Sequence, residues 1–273
     1  IGNAENQARW LLSARTGYDL NEMIARPERE LDLHCVDILR RDCQDLAAGK
    51  PLARVLGTSE FYGLTFGLNA ATLAPRPDTE ILVDAAREWR RTHQRYSAEA
   101  FRFVDLGTGS GCILISLLHH WQDCYGIGVD IDESALKQAR DNAVANQLDE
   151  GCAFASSDWF GGLSGRYPIL VANPPYIHSP QLESLDESVR RFDPVQALDG
   201  GNDGLCSINQ LVSIANQHLT EDGAAFFEIG YDQLDKVKRL IENADLTLSR
   251  VHRDLGGIPR VVEMRHGDNS KKI

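Results

Sequence analysis

Asp105-Leu106-Gly107-Thr108-Gly109-Ser110-Gly111 ends one apolar run, Phe101 to Leu106, and opens another, Cys112 to Leu118, with helical spacing. A strand that bends through glycines straight into a helix commits the chain to a strand-helix repeat. The repeat continues. Short apolar runs at Phe101 to Leu106, Tyr125 to Val129, Cys152 to Ala155, Ile169 to Ala172 and Ala224 to Ile229 are separated by helical stretches such as Glu133 to Asn146 and Leu205 to Leu219. That alternation calls for an α/β fold, a mainly parallel sheet with helices on both faces. Two more strands, near Leu246 to Val251 and Arg260 to Met264, have no helix between them and suit an antiparallel pair closing the sheet, seven strands in all.

The first fifty residues read differently. Trp10, Leu11 and Leu12, then Leu20, Met23 and Ile24, then Leu31, Leu33, Val36, Ile38, Leu39 and Leu46 recur at spacings that place them on one face of successive short helices, punctuated by Gly17, Pro27 and Gly49. Such a bundle is too small to hold a deep site and suits docking or a lid. From Phe61 to Leu73 the alternation of Phe61, Tyr62, Leu64, Phe66 and Leu68 around Gly63 and Gly67 is that of a β-hairpin. Pro75-Arg76-Pro77-Asp78-Thr79-Glu80 then starts a helix with an acidic first turn. The expected division is a helical domain at 1–56, a hairpin linker at 57–75 and an α/β domain at 76–273.

Composition narrows the partners. A net charge of −12 argues against a protein that holds nucleic acid through its phosphates. Arg87, Arg90, Arg91 and Arg95 form a basic cluster, read as a solvated helix face. No apolar run approaches the roughly 20 residues of a membrane span, and the first residues are polar, so the expectation is a cytoplasmic protein without signal peptide. The chain begins at Ile1 rather than Met, so native residues are expected to be missing from its start or replaced by those of a tag. Cys35, Cys43, Cys112, Cys124, Cys152 and Cys206 show no C-x-x-C spacing and read as buried thiols. His119-His120 reads as a helix end, and no metal site is expected.

Gly107 and Gly109 allow a tight turn and a close approach to a ligand. A plain strand-to-helix turn has the same look, but Asp130 ends the next strand about twenty residues later, where a carboxylate can accept from ribose hydroxyls. The dinucleotide fingerprint wants its third glycine at the position of Cys112, and here it falls at Gly111. The crowded spacing suits a nucleoside ligand without a pyrophosphate, such as S-adenosylmethionine, with its amino-acid tail near the glycines and its ribose near Asp130. Downstream, Asp158 is placed to accept the adenine amino group beside an aromatic, Trp159 or Phe160; a loop or helix-cap role fits Asp158 equally.

Asn173-Pro174-Pro175-Tyr176 follows the run Pro168 to Ala172, at the strand end where open α/β sheets bind ligands. Two prolines remove two donors and fix φ, leaving carbonyls unpaired by the local chain. An acceptor-rich turn of this kind recognises an NH2 group: the Asn173 side-chain oxygen and the Pro174 carbonyl each take one N–H, and Tyr176 covers the flat face. Fixed acceptors would hold a weakly nucleophilic amide nitrogen in line with an activated methyl and stabilise the charge growing on it. A rigid proline turn is the bland alternative.

These residues resemble the release factor glutamine N5-methyltransferase family, whose members modify the glutamine of the Gly-Gly-Gln tripeptide in class I peptide chain release factors during translation termination. The likeness runs from Glu60-Phe61-Tyr62-Gly63 through Pro75 to Glu80, Asp105 to Gly111, Asp130, Ser157 to Phe160 and Asn173 to Tyr176. It continues in Phe192-Asp193-Pro194, Gly200-Gly201 and Glu228-Ile229-Gly230. It implies a seven-stranded Rossmann-like class I methyltransferase sheet with a small helical domain ahead of it. It also implies S-adenosylmethionine as methyl donor, held by Asp105, Gly107, Thr108, Gly109, Gly111, Asp130, Ile131, Asp158, Trp159 and Asn173. Catalysis falls to Asn173, Pro174 and Tyr176; Pro175, Arg76 and Glu80 join them around the glutamine. The N-terminal helices would grip the release factor, residues 177 to 202 would form a charged, mobile loop beside the site, and the enzyme would be a monomer. Adenine N6 in DNA or RNA presents the same two N–H donors, so an adenine methyltransferase stays open, although it would need a basic recognition domain. A non-catalytic binding protein on the same fold is the other alternative.

Overall fold

The computed structural model describes residues 2–267. The side chain of Leu20, counted above in an apolar face, and the chain ends at residues 1 and 268–273, to which the expected domain limits run, lie outside the described residues. Four helices come first: α1 (Gly2–Thr16), α2 (Leu20–Ala25), α3 (Leu33–Ala47) and α4 (Leu52–Leu56). Asp19 and Glu22 form a capping box on α2, and Asp32 caps α3 by accepting from the Cys35 backbone N–H. The expected single apolar face is only partly realised. Leu11 and Cys35 are buried, whereas Trp10, Ile24 and Leu33 are exposed.

Strands β1 (Thr58–Phe61) and β2 (Leu64–Gly67) form the hairpin, which starts three residues earlier and ends six residues sooner than Phe61 to Leu73. Its two-residue turn puts both Tyr62 and Gly63 at positive φ, the combination that matches strand twist. Helices α5 (Glu80–Thr92) and α6 (Gln94–Ala98) lead into β3 (Arg102–Leu106), α7 (Cys112–His120), β4 (Tyr125–Asp130), α8 (Glu133–Ala145), β5 (Cys152–Ser156) and β6 (Tyr167–Ala172). Then come α9 (Glu187–Phe192), α10 (Cys206–His218), β7 (Leu219–Glu228), α11 (Leu234–Asn243), β8 (Leu246–Arg253) and β9 (Pro259–His266).

The main sheet has seven strands in the order β5-β4-β3-β6-β7-β9-β8, parallel except for β9, which runs antiparallel to both β7 and β8. Side chains alternate strictly between two buried faces, as a period of two requires. Phe103, Ile169, Val171 and Phe226 join α5 and α7 on one face; Val104, Leu170, Ala172 and Phe227 join α10 and α11 on the other. All six residues of β6 are buried, and its Pro168, which cannot donate to a ladder, coincides with a register shift against β7. Truncating a fully buried ring such as Phe226 to Ala would cost on the order of 3–5 kcal/mol.

The strand order reverses between β3 and β6, where Leu106 pairs with Ala172. The residues that follow each strand, Gly107 and Asn173, therefore leave the sheet side by side, at the switch point where ligands bind. The basic cluster departs from its solvated reading at Arg90. That guanidinium is buried against the neighbouring Phe101 and Trp121 rings, donates to the Tyr96 carbonyl at 2.7 Å and pairs with Asp123 at 2.7 Å. All six thiols are free, and Cys43 and Cys206 are exposed rather than buried. No helix among the described residues is long and apolar enough to cross a membrane.

Candidate active site

A cavity of about 340 Å³ opens at the switch point and draws its walls from both motifs. Gly107, Thr108, Gly109 and Ser110 form one side, Asp130, Ile131 and Asp132 the next, and Ser157, Asp158 and Trp159 the third. Asn173 and Pro175 come from the end of β6, Arg76 and Thr79 from the segment ahead of α5, and Pro194, Gln196, Ala197 and Asp199 from the long loop before α10.

The glycine loop is fixed from below. Gly107 and Thr108 both donate to the Val129 carbonyl, at 2.9 and 2.8 Å, and Gly109 donates to Asp130 Oδ2 at 2.9 Å. Gly107, Gly109 and Gly111 all sit at positive φ. At Gly107 an added Cβ would stand 3.2 Å from the Trp159 ring, so the bare backbone leaves the cavity open there. Gly111 does not line the cavity; a Cβ on it would meet Ile115 at 3.0 Å and Ala139 at 3.2 Å, so this glycine serves the packing of α7 on α8. Asn142, from α8, ties the loop to the hairpin by donating to the carbonyls of Ser110 (2.8 Å) and Gly67 (3.1 Å) and accepting from the Gly67 N–H (2.7 Å).

Asp130 lines the cavity and accepts from the Gly109 N–H at 2.9 Å and the Asp132 N–H at 3.0 Å, two of the roughly four acceptor sites of a carboxylate. Burial raises its pKa, with those backbone donors pulling it back. Asp105 lies behind the loop, fully buried and off the cavity wall; it accepts from the Thr108 hydroxyl at 2.7 Å, and its Oδ1 has no partner. Burial pushes its carboxyl up to about 7. Cys112 also lines the cavity, but burial drives its thiol to about 12, so it is no nucleophile.

Asn173 Nδ2 donates to the Thr79 hydroxyl at 3.1 Å, which leaves the amide oxygen for the cavity. Pro174 and Tyr176 do not line it. Pro174 is buried, and the Tyr176 hydroxyl donates to Glu228 Oε1 at 3.3 Å, its pKa raised by burial and then by the Glu228 charge. Gln233 holds the turn from behind, its Nε2 donating to the carbonyls of Tyr176 (3.0 Å) and Gly204 (2.9 Å). Arg76 reaches the wall and pairs with Asp193 at 2.6 Å. Glu80 is elsewhere: its carboxylate accepts from the Tyr62 N–H at 2.7 Å and stabilises the hairpin turn, because that turn ends over the start of α5.

The loop at 177–202 lies beside the cavity and carries short helical turns and internal hydrogen bonds. Turns of 3-10 helix at Ser179–Ser184 and Val195–Ala197 flank α9, and Ile177 and Gly200 exchange bonds with Leu198 and Ile177 at 2.9 and 2.8 Å. Its Asp193 is buried between Arg54 of α4, at 2.7 Å, and Arg76. Sequence reasoning passed over Thr79, Asn142, Asp193 as an ion-pair centre, and Gln233. Thr79 lies inside the singled-out segment at residues 75–80 and Asp193 inside Phe192-Asp193-Pro194; Asn142 and Gln233 carry no local signal.

Residues 1–57 match the family model described as PrmC N-terminal domain, and residues 92–192 that described as Methyltransferase small domain. Over 266 residues the chain is 41% identical to the release factor glutamine methyltransferase of Bradyrhizobium diazoefficiens, spanning 97% of this chain and 89% of that protein. The same-named protein of Agrobacterium fabrum is 38% identical over 94% of this chain and 89% of its own length. Among solved structures, a methyltransferase from Pyrococcus furiosus superposes with a TM-score of 0.55 at 14% identity, over 84% of this chain and 99% of that one, a likeness of fold.

Proposed function

Because the chain belongs to the release factor glutamine methyltransferase family, we propose that it transfers a methyl group from S-adenosylmethionine to the side-chain nitrogen, N5, of the glutamine in the Gly-Gly-Gln tripeptide of class I release factors. The observation that carries this reading is the pairing of Leu106 with Ala172, which sets the glycine loop and Asn173 on one cavity.

Use of S-adenosylmethionine is a general property of class I methyltransferase domains, and the site fits that donor. Its bare glycine backbone, the Asp130 and Asp158 carboxylates and the apolar Ile131 and Trp159 suit a ligand with a cationic end, a ribose and a flat base. Gly107, Thr108, Gly109, Asp130, Ile131, Asp158 and Trp159 would hold it, with Asp105 and Gly111 shaping the loop. When bound, the donor supplies an electrophilic methyl on a sulfonium.

Asn173 Oδ1 accepts one glutamine N–H, and the Pro174 carbonyl, one residue behind the wall, accepts the other. Both acceptors favour the nitrogen most as positive charge grows on it, so they lower the barrier rather than only binding substrate. No strong base is required, since an alkylated amide nitrogen sheds its proton to water. Pro175 and Arg76, on the cavity wall, confine the side chain, and Tyr176 supports the turn from behind. Residues 1–56 dock the release factor, 57–75 link, and 76–273 catalyse, as a cytoplasmic monomer that forms no stable complex with nucleic acid.

The test is incubation with labelled donor and, separately, a release factor, its tripeptide Gln→Ala variant, and DNA. Label in the intact release factor alone is expected. Label in DNA, or equal label in the Gln→Ala variant, refutes the reading.

A further inference from the structure

Arg76 is the one basic residue among the described residues that line the cavity, where Asp130, Asp132, Asp158 and Asp199 also stand. Its Nη2 donates to Asp193 Oδ2 at 2.6 Å, and 45% of its side chain stays exposed. Asp193 is itself off the wall with its side chain buried, but the residue after it, Pro194, is on the wall, as are Gln196 and Ala197. The other carboxylate oxygen, Oδ1, accepts from Arg54 Nε at 3.2 Å and from Arg54 Nη2 at 2.7 Å.

The Arg54 side chain is buried and holds more than Asp193. Its Nη1 donates to the Asn69 carbonyl at 2.8 Å and its Nη2 to the Thr72 carbonyl at 2.6 Å, so it grips the stretch that runs on through Ala74 and Pro75 to Arg76. Beside it in α4, the Val55 carbonyl accepts from Arg15 of α1 at 3.0 Å, and Arg15 Nε donates to Asp42 of α3 at 2.7 Å. A run of charge-assisted bonds, with one peptide link between Val55 and Arg54, thus joins α1 and α3 to the cavity wall.

We infer that Asp193 is a positioning residue for the acceptor substrate: clamped by Arg54, it fixes the Arg76 guanidinium on the cavity wall and ties that wall to the N-terminal helices. This rests on the reading of the cavity as the place where the glutamine enters. The Asn173-Pro174-Pro175 turn supplies acceptors, so it recognises the amide NH2 and leaves the carbonyl oxygens of a Gly-Gly-Gln segment to be met by other groups. Arg76 supplies N–H donors for them. A guanidinium carries five N–H groups in a rigid fork, and one nitrogen, Nη2, is committed to Asp193. A long, half-exposed side chain is otherwise spread over many rotamers; fixing it before the substrate arrives spares binding that entropy cost.

The experiment measures kcat/KM with an intact release factor, and S-adenosylmethionine Kd, for wild type, Asp193→Asn, Arg54→Lys and Arg76→Gln, and for each of the first two variants combined with Arg76→Gln. Asp193→Asn keeps the shape and one acceptor but not the charge; Arg54→Lys keeps the charge but replaces the fork by a point. Each single variant is expected to lose about tenfold in kcat/KM with S-adenosylmethionine Kd within about threefold of wild type. Each double variant is expected to be no more than about twofold worse than Arg76→Gln alone, because Asp193 acts through Arg76. Losses that multiply in the doubles, as separate structural damage gives, would overturn the inference, and so would an Arg76→Gln protein as active as wild type or a loss that falls on S-adenosylmethionine Kd. Where Asp193→Asn does not fold, Arg54→Lys and its double give the same comparison. A wild-type protein that leaves the release factor unmethylated strikes the proposed function instead.

Discussion

Replacing Glu228 by Gln should make the protein more stable, and the gain has a pH signature. Burial raises this carboxyl from an ordinary 4.5 to about 7. A raised carboxyl pKa means that the native state holds its proton more tightly than the unfolded chain. The resulting stabilisation is complete below pH 4.5 and is lost as the pH climbs through about 7. At about 1.4 kcal/mol per pKa unit, the loss relative to acid is under about 1 kcal/mol at pH 5 and about 3 kcal/mol at pH 8. Gln has the same shape, keeps an acceptor for Tyr176 and has no proton to lose, so the variant escapes that loss. Urea unfolding of both proteins at pH 5 and pH 8, with slopes compared to confirm that the same surface unfolds, reads the difference directly. An equal gap at the two pH values, or a variant less stable than wild type at pH 8, would refute the reasoning.

Asp193→Ala strands the buried Arg54 guanidinium, which keeps only the carbonyls of Asn69 and Thr72, and should cost about 3 kcal/mol. Arg76→Ala, at a partner that is 45% exposed, should cost under about 1 kcal/mol, so thermal melts that rank the two alike would contradict the burial argument. Gly111→Ala forces a Cβ into a φ of 79° against Ile115 and should cost about 2 kcal/mol by denaturant titration; an unchanged midpoint would show that α7 gives way freely.

The main sheet was legible because its strands are buried on both faces and therefore read as unbroken apolar runs, as β6 shows. The hairpin was legible from its glycines and alternation, although its ends were not, since pairing register depends on the partner strand. What the sequence hid was long-range pairing of polar groups. Glu80 looked like a helix-dipole residue, but its carboxylate serves a turn eighteen residues back. Arg90 sits among more exposed arginines, and its contacts with the Phe101 and Trp121 rings, the Tyr96 carbonyl and Asp123 show why it does not face solvent. Tyr176 and Glu228 lie on separate elements that meet only when β7 docks beside β6, so neither could be read as the other's partner.

The central claim is that Asn173 acts on the glutamine nitrogen from a cavity it shares with the methyl donor. Asn173→Ala measures this most directly, by donor affinity in a binding titration and single-turnover methylation of a release factor. Donor Kd should stay within about threefold while the methylation rate falls about 100-fold or more, because the lost acceptor matters chiefly as charge develops. An Asn173→Ala protein that methylates at the wild-type rate would contradict the account.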